Sequence, residues 1–563
     1  MSAGQGGRDN VPEGYVRPRS EEGSKASALL ILPGLAFLAL VFVFPLLGVV
    51  LRSFDPKGKL SYADLHFSLT NYVGLLHDPA YGIILKNTFI VAAIATVVTL
   101  ILAYPVCFFM SRLPGRWGAR LLLLAMFPFW TSILVRLYAF TEILPRFGVM
   151  YTTTATVIGM VYYLLPYMIA VLYANMLSID NELINAARTL GASMMQALRY
   201  VFMPLTKPGV FVGTVMIFVI SLGFFLTPAI LGGGSDLTVA TYIQQQVNIA
   251  SWGAASAMGT VLLVAALSLF FGANRLFAAN QLSVIGVGSQ KGVSRTEAAR
   301  LTWPLMVGGI VTLAAFVFLL VPLVIVVFVS FTPTTYLRFP PSGFSLRWYD
   351  RFFSDPDWLS SAWLSLRIAA LTAVSATVLG LLTAIGLERS RIPGKPIITA
   401  LFLAPLIVPV ILIAVALYDL ANRTQLAGSV TAYVIGHTLL ALPITIMIAG
   451  NALRSIGTEL ELAARTLGAS RSYAFMAVTA RLIAPSLAVA AIFAFVTSWD
   501  EPVIALFLST GRTTLPVHIF NHIQTEVTPT VAAVSTMLMA IMLIGAMVFS
   551  LVAAQRRRRL GAL

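Results

Sequence analysis

The sequence predicts an all-α polytopic membrane protein with about twelve transmembrane helices, arranged as two parallel six-helix repeats. Three observations predict it. Of 563 residues, 58% are hydrophobic and 10% are charged, with a mean hydropathy of +0.88. That is more apolar surface than a water-soluble chain of this length can hide. Apolar windows of about 20 residues, the length of a bilayer-crossing helix, recur throughout. An offset of 277 residues also brings the first part of the chain into register with the second.

The first 28 residues form a polar tail carrying Arg8, Arg17, Arg19 and Lys25. These charges lie too far from the start, and the following apolar stretch is too long, for a cleaved signal. The first span is therefore expected to stay as an anchor with the N-terminus in the cytoplasm. Spans are expected at 29–51, 84–110, 119–140, 154–177, 208–231 and 252–274, then at 303–330, 362–387, 396–418, 431–453, 484–508 and 530–554. They are rich in Leu, Val, Ala and Ile without strict alternation, which suits helices and not an outer-membrane barrel. The expected organisation is a cytoplasmic tail (1–28), a first half (29–275), a cytoplasmic linker (276–301), a second half (302–555) and a basic C-terminal tail (556–563). Gly286, Gly288, Ser289, Gln290 and Gly292 give the linker its polar, flexible composition.

The formal net charge is +15, and its placement matters more than its size. Arg112, Arg116 and Arg120 crowd one short loop and Arg556 to Arg559 close the chain, both on the side expected to be cytoplasmic. This is the positive-inside bias, with Lys57, Lys59, Arg338, Arg347 and Arg351 as exceptions in two longer outer segments. Basic residues without an interleaved aromatic groove do not read nucleic acid, so the expected surroundings are the lipid bilayer. The single cysteine, Cys107, excludes an intrachain disulfide.

The repeat is detailed. The 277-residue offset pairs Pro45 with Pro322, Ser53-Phe54 with Ser330-Phe331, and Phe67-Ser68-Leu69 with Phe344-Ser345-Leu346. It also pairs Asp78-Pro79 with Asp355-Pro356, Gly159 with Gly436 and Pro166 with Pro443. The octapeptide from Ala186 to Ser193 recurs without change from Ala463 to Ser470. Two copies running in one direction with an even number of spans share one membrane orientation, and a solute path lies where such repeats meet.

The octapeptide lies in an expected inner loop. Ala, Leu, Glu and Arg from Glu182 to Leu190, and from Glu459 to Leu467, favour a short helix. Gly191 and Gly468 then break it, as a residue free to take positive φ would. A second short helix is expected from Met194 to Val201 and from Ser472 to Val478. Such an elbow suits the groove of a soluble partner.

This loop resembles the EAA loop of ABC-importer permeases, whose pattern is Glu-Ala-Ala, three residues, Gly, then nine residues before an apolar-x-apolar-Pro ending. The first copy reads Asn185-Ala186-Ala187-Arg188-Thr189-Leu190-Gly191 and ends Val201-Phe202-Met203-Pro204. The second reads Leu462-Ala463-Ala464-Arg465-Thr466-Leu467-Gly468, with Arg481 where the motif has proline. Neither copy has the motif's Glu; Glu182 and Glu459 stand three positions earlier. The resemblance covers nearly the whole chain and implies the type I ABC importer permease fold in a bacterial inner membrane, with both termini cytoplasmic. It implies two cytoplasmic ATPase subunits and an extracytoplasmic solute-binding protein. The expected coupling residues are Glu182, Ala186, Ala187, Gly191 and Ala192, with Glu459, Ala463, Ala464, Gly468 and Ala469. No Gly-x4-Gly-Lys-Ser/Thr phosphate loop occurs in the chain. No cofactor is therefore expected on it, ATP and Mg belonging to the partners, and no catalytic residues or metal ligands are assigned.

For the solute path, the sequence offers Trp499, Asp500 and Glu501 in the second half, with Phe224 and Phe225 in the first. Gly223 and Phe224 stand where the second half has Asp500 and Glu501, so the acid pair belongs to one half only. Two carboxylates at membrane depth are costly unless paired or solvated. One reading is a seat for an organic cation, combining Coulomb attraction with a cation–π contact from Trp499. The other is that the acids cap a helix break near Pro228 and Pro502 or pair with Arg367 or Arg136. The run Phe224 to Gly233 looks like the first permease of spermidine/putrescine importers; Ser498 to Glu501, with Thr514 to Ile519, looks like the second. A polyamine is the expected solute, with ferric iron or an organophosphonate as alternatives in the same importer class. An ion-coupled secondary carrier, the rival of another class, has no need of two equivalent elbows. His518 and His522 at i, i+4 are expected to be ordinary residues of an outer segment. Arg136, Glu142 and Arg146 are expected to form a local ion-pair network, Tyr162, Tyr163 and Tyr167 to serve packing, and His437 to bridge helices.

Overall fold

The computed structural model describes residues 25–56, 67–114, 117–278, 303–335, 339–525 and 528–560. Most of the N-terminal tail and linker, Lys57, Lys59, Arg116, Arg338 and the last three residues lie outside the described residues. Among the described residues the regular structure is helical, and each of the twelve apolar windows has a helical counterpart. Among the described residues nine helices are long and apolar enough to cross a bilayer. Two bent helix pairs make eleven if each is counted as one span, and the last helix, Pro529–Leu560, runs on through Arg556 to Arg559 where a tail was expected.

The bent pairs differ from the straight spans expected at 119–140 and 396–418. Trp117–Phe129 meets Ile133–Phe147 at 83°, and Lys395–Leu406 meets Val410–Arg423 at 92°. Each elbow in the backbone follows a 3₁₀ turn containing a proline, Pro128 in one and Pro405 in the other. Proline removes an amide donor and disfavours helical geometry just before it, so the ladder stops there.

The fifth crossing of each half also differs from its expected window. It begins earlier, because the second arm of the elbow is not a separate helix. Through one π-helical turn, Leu198–Phe202 or Phe475–Thr479, it continues into the span. The continuous elements are Met194–Leu222 and Arg471–Trp499, 29 residues each. They end earlier too, at breaks over 223–225 and 500–502, after which short helices Leu226–Leu231 and Val503–Leu508 follow. Pro228 falls in the first turn of its short helix, where no intrahelical donor is lost, and Pro502 stands just before the other.

Small hydrogen bonds repeat with the 277-residue offset. Ser53 and Tyr72 hydroxyls meet at 2.6 Å, and Ser330 and Tyr349 at 2.7 Å. Ser68 donates its N–H to Phe54 O, and Ser345 to Phe331 O, both at 2.7 Å. Asp78 and Asp355 cap the equivalent long helices, each accepting an N–H at 2.9 Å. One local sequence thus makes one local structure twice.

The halves are interlocked. The first span, Ser27–Arg52, packs on Pro356–Arg389 and Val410–Arg423 of the second half, and Trp303–Val329 packs on Pro79–Arg112 and Ile133–Ile143 of the first. Glycines permit the close approach: Gly34 faces Thr383 and Phe402, Gly386 faces Ile31, and Gly308 lies against the Pro105 carbonyl and Phe109. Small residues at helix crossings let van der Waals contact replace the hydrophobic drive that lipid cannot supply. Tyr162 adds a hydrogen bond across the halves, donating to Leu319 O at 2.7 Å.

Candidate functional site: the elbows and the junction between halves

At the two elbows, Asn181–Thr189 and Glu459–Thr466 are helices, and Gly191 and Gly468 follow them at φ of +91° and +92°. An L side chain there would be strained, which is why glycine ends both arms. Glu182, Ala186, Gly191, Glu459, Ala463 and Gly468 are exposed, whereas Ala187, Ala192, Ala464 and Ala469 are half-buried. Ser193 and Ser470 cap the arm that follows, accepting N–H bonds from Gln196 and Tyr473. Leu190 and Leu467, at the tips, are each 89% exposed. Two large apolar side chains are thus held out alike as exposed knobs at the two turns, and the sequence reading omitted them.

The two elbows are held to the membrane body differently. Arg389, closing Pro356–Arg389, donates to both oxygens of Glu461 at 3.0 and 2.5 Å, and Thr479 donates to the same carboxylate at 2.8 Å. Burial works to raise the Glu461 pKa, but the Arg389 and Thr479 hydrogen bonds, with the charges of Arg389 and Arg471, outweigh it and hold it below the usual carboxylate range. In the first half the equivalent arginine, Arg112, lies over the Phe202 and Phe108 rings at 4.7 and 5.8 Å, and Ile184 replaces Glu461. Both arginines lie over aromatic rings, Arg389 over Phe475 at 5.2 Å, but the carboxylate partner occurs only in the second half. Glu461 escaped the sequence reading because it stands one residue before the position where the motif has its Glu.

Deeper in the membrane the two breaks meet the two bends. Ile133 begins the helix after the first bend, and its N–H donates to both carboxylate oxygens of Asp500 at 3.2 Å. Across the repeat, Gly223 rests on Pro409 of the second bend; a Cβ on Gly223 would stand 2.9 Å from Pro409 Cα. The pairs are equivalent, since 277 residues separate Gly223 from Asp500 and Ser132 from Pro409. Each half therefore touches the other with its break against the other's bend.

Aromatic residues gather at this junction. Phe129 contacts Tyr167 at 4.3 Å, Tyr163 contacts Tyr167 and Phe224 at 5.4 and 4.9 Å, and Trp499 stacks on Phe495 at 5.9 Å. Phe225 turns aside to Phe520, at 6.0 Å. Arg136 does not join the Glu142–Arg146 pair, as the expected network required. It is buried, its guanidinium lies 5.2 Å over the Tyr163 ring, and its charge acts on Asp500. One helical turn separates it from Ser132, so the bend aims it inward. Arg367 is exposed on its helix.

The two acids have different environments. Glu501 is buried and accepts from the N–H groups of Val503, Ile504 and Ala505 at 3.0, 2.8 and 3.2 Å, capping the short helix that follows. His437 Nε2 lies 3.8 Å from it, while His437 Nδ1 shares a 2.7 Å hydrogen bond with the Ser498 hydroxyl. Asp500 is half-buried and lines a cavity of about 10 Å³ with Phe129, Thr131, Ser132, Val496, Trp499 and Leu538. That volume holds no more than one water. His518 and His522 share one helix, and Trp358 contacts both rings, at 4.4 and 5.1 Å. Among the described residues no group of three or more His, Cys, Asp or Glu is placed to hold a metal.

A pair of fused helical halves, each with an elbow continuous with a membrane-length helix, defines a class of transport protein. The profile of the binding-protein-dependent transport system inner membrane component matches twice, over residues 80–281 and 376–560. The chain belongs to that family: it is a multi-pass ABC-importer permease of the inner membrane with both permease halves on one polypeptide. Among curated proteins it is similar to the spermidine/putrescine transport system permease protein PotB of Salmonella typhimurium strain LT2, at 33% identity over 274 residues. The Escherichia coli K12 PotB is 33% identical over 268 residues, and the putrescine transport system permease protein PotI of the same strain 30% over 261. The alignments span 95%, 97% and 92% of those proteins but only 45%, 44% and 45% of this chain. Each relative is thus the size of one half.

Proposed function

We propose that the chain forms the whole translocation path of a polyamine importer, with spermidine or putrescine as its solute. The reading carries over what the names of PotB and PotI say of those proteins. The single observation that favours it is Asp500, a half-buried carboxylate that shares a cavity with Trp499 and Phe129 where the halves meet. An ammonium group gains there from charge and from aromatic faces together. In this reading two cytoplasmic ATPase subunits bind ATP and Mg²⁺ and seat on the exposed elbows. An extracytoplasmic binding protein delivers the solute, and both termini face the cytoplasm. Nucleotide-driven closure of the ATPases would draw the elbows together and turn the path outward; hydrolysis would reset it. The domain scheme is two permease halves joined through a cytoplasmic linker.

The test is uptake into proteoliposomes holding the permease with its ATPase and binding protein, offered labelled putrescine, ferric iron or aminoethylphosphonate. ATP-dependent putrescine uptake is expected, falling at least tenfold in Asp500→Asn while the ATPase still co-purifies. Uptake of iron or phosphonate without putrescine would replace the solute assignment.

A further inference from the structure

The two break-on-bend contacts are equivalent by repeat and opposite in chemistry. At one, glycine lies against proline with no room for a side chain. At the other, a carboxylate receives the first free N–H of an 11-residue helix, whose amino end also carries partial positive charge. Tyr163, eleventh residue of the 25-residue helix Thr153–Leu177, touches Phe224 in the break, which puts the junction near the middle of the membrane. The cavity beside Asp500 admits no solute larger than water. The two halves are closely packed here.

Both contacts hang on the elbows. Asp500 directly follows the 29-residue element that starts at Arg471 in one elbow, and Gly223 follows its counterpart from Met194 in the other. A helix of that length is about 43 Å long and transmits displacement along its axis. Drawing an elbow sideways therefore moves the break at its far end against the other half's bend.

We propose that Gly223 and Asp500 are the two leaves of one gate across the path, passive at Gly223–Pro409 and latched by charge at Asp500–Ile133. A cation reaching the junction competes with the Ile133 N–H and Arg136 for the Asp500 carboxylate, and so loosens one leaf only. Arg136, buried over Tyr163, is the resident positive charge that balances the latch when no solute is present. A neutral or anionic solute has no such key. The assignment of the leaves is independent of the polyamine reading; the identity of the cation rests on it.

The test uses the full importer in proteoliposomes with Thr131→Cys and Trp499→Cys, which line the same cavity from opposite halves, against the buried native Cys107. Oxidative disulfide formation between them reports closure. Without nucleotide the yield is expected to be high; with ATP and a hydrolysis-deficient ATPase it should fall at least fivefold. An unchanged yield overturns the gate. Gly223→Val, which wedges the passive leaf, should lower the yield and let methylammonium leak without ATP; Pro409→Gly loosens the same contact from the other side if the valine protein fails to insert. If neither variant leaks, the leaves are misassigned. Putrescine, magnesium and ferric iron are then added singly. Loosening by at least one of them that disappears in Asp500→Asn supports the charge latch, and if none loosens the gate the latch is wrong. Loosening by the metals but not by putrescine keeps the gate and removes the polyamine.

Discussion

Glu461 and Arg389 show how much one side chain decides. Removing one partner of a buried pair leaves the other uncompensated, a loss of about 3 kcal/mol. Glu461→Gln should lower the thermal midpoint in detergent and weaken ATPase co-purification, whereas Ile184→Val in the first elbow should do neither. The pH dependence has a definite sign. The folded-state pKa of Glu461 lies below its unfolded value of about 4.3. Its stabilising contribution is fully present above that value and disappears as pH falls through the lower, folded one. Wild-type stability measured from pH 6 down to 3 should therefore lose a component that Glu461→Gln never has. Equal acid slopes in both proteins would contradict this.

Among elements, the elbow is the one whose motion must reach the path. Gly191 and Gly468 hold positive φ, so Gly191→Val with Gly468→Val should distort both arms. Hydrolysis should persist in the assembled importer while uptake falls tenfold or more, measured as phosphate released per solute moved. The exposed knobs make a separate prediction. Leu190→Asp with Leu467→Asp should abolish co-purification with the ATPase without changing the detergent melting midpoint, because neither leucine packs inside the permease. The π-helical turns at Leu198–Phe202 and Phe475–Thr479 join arm to span, and they explain why a loop helix and a membrane helix expected as two elements are one.

At the scale of the whole molecule, the exchanged first spans make each half part of the other's packing. Cutting the chain between residues 278 and 303 should leave two fragments that co-purify and restore ATP-dependent uptake when expressed together. The second fragment alone should be degraded or aggregated, since Trp303–Val329 would expose the face that rests on Pro79–Arg112. Its stable insertion alone would contradict the interlock. Much of this architecture was legible from residues: the windows, the duplication, the octapeptide and its glycines. The bends at Pro128 and Pro405 were not read, because hydropathy averages over a window and is blind to direction. Two expectations competed for Arg136, a network with its sequence neighbours Glu142 and Arg146 and a pairing with the acids. It stays out of the Glu142–Arg146 pair, and residues read along the chain could not choose between the two because the choice depends on the 83° bend.

By itself the sequence determined that this chain lives in a membrane, that it is one permease unit written twice, and that its elbows break at glycine. Those properties reside in composition, in repetition and in local backbone preference, and none needs a distant partner. Only the tertiary structure decided which acid reaches across to the other half. Glu501 is engaged by the three N–H groups that follow it, while Asp500 reaches Ile133, 367 residues away. Such a contact depends on where two helix breaks and two bends come to rest against each other, and no stretch of chain read alone contains that information.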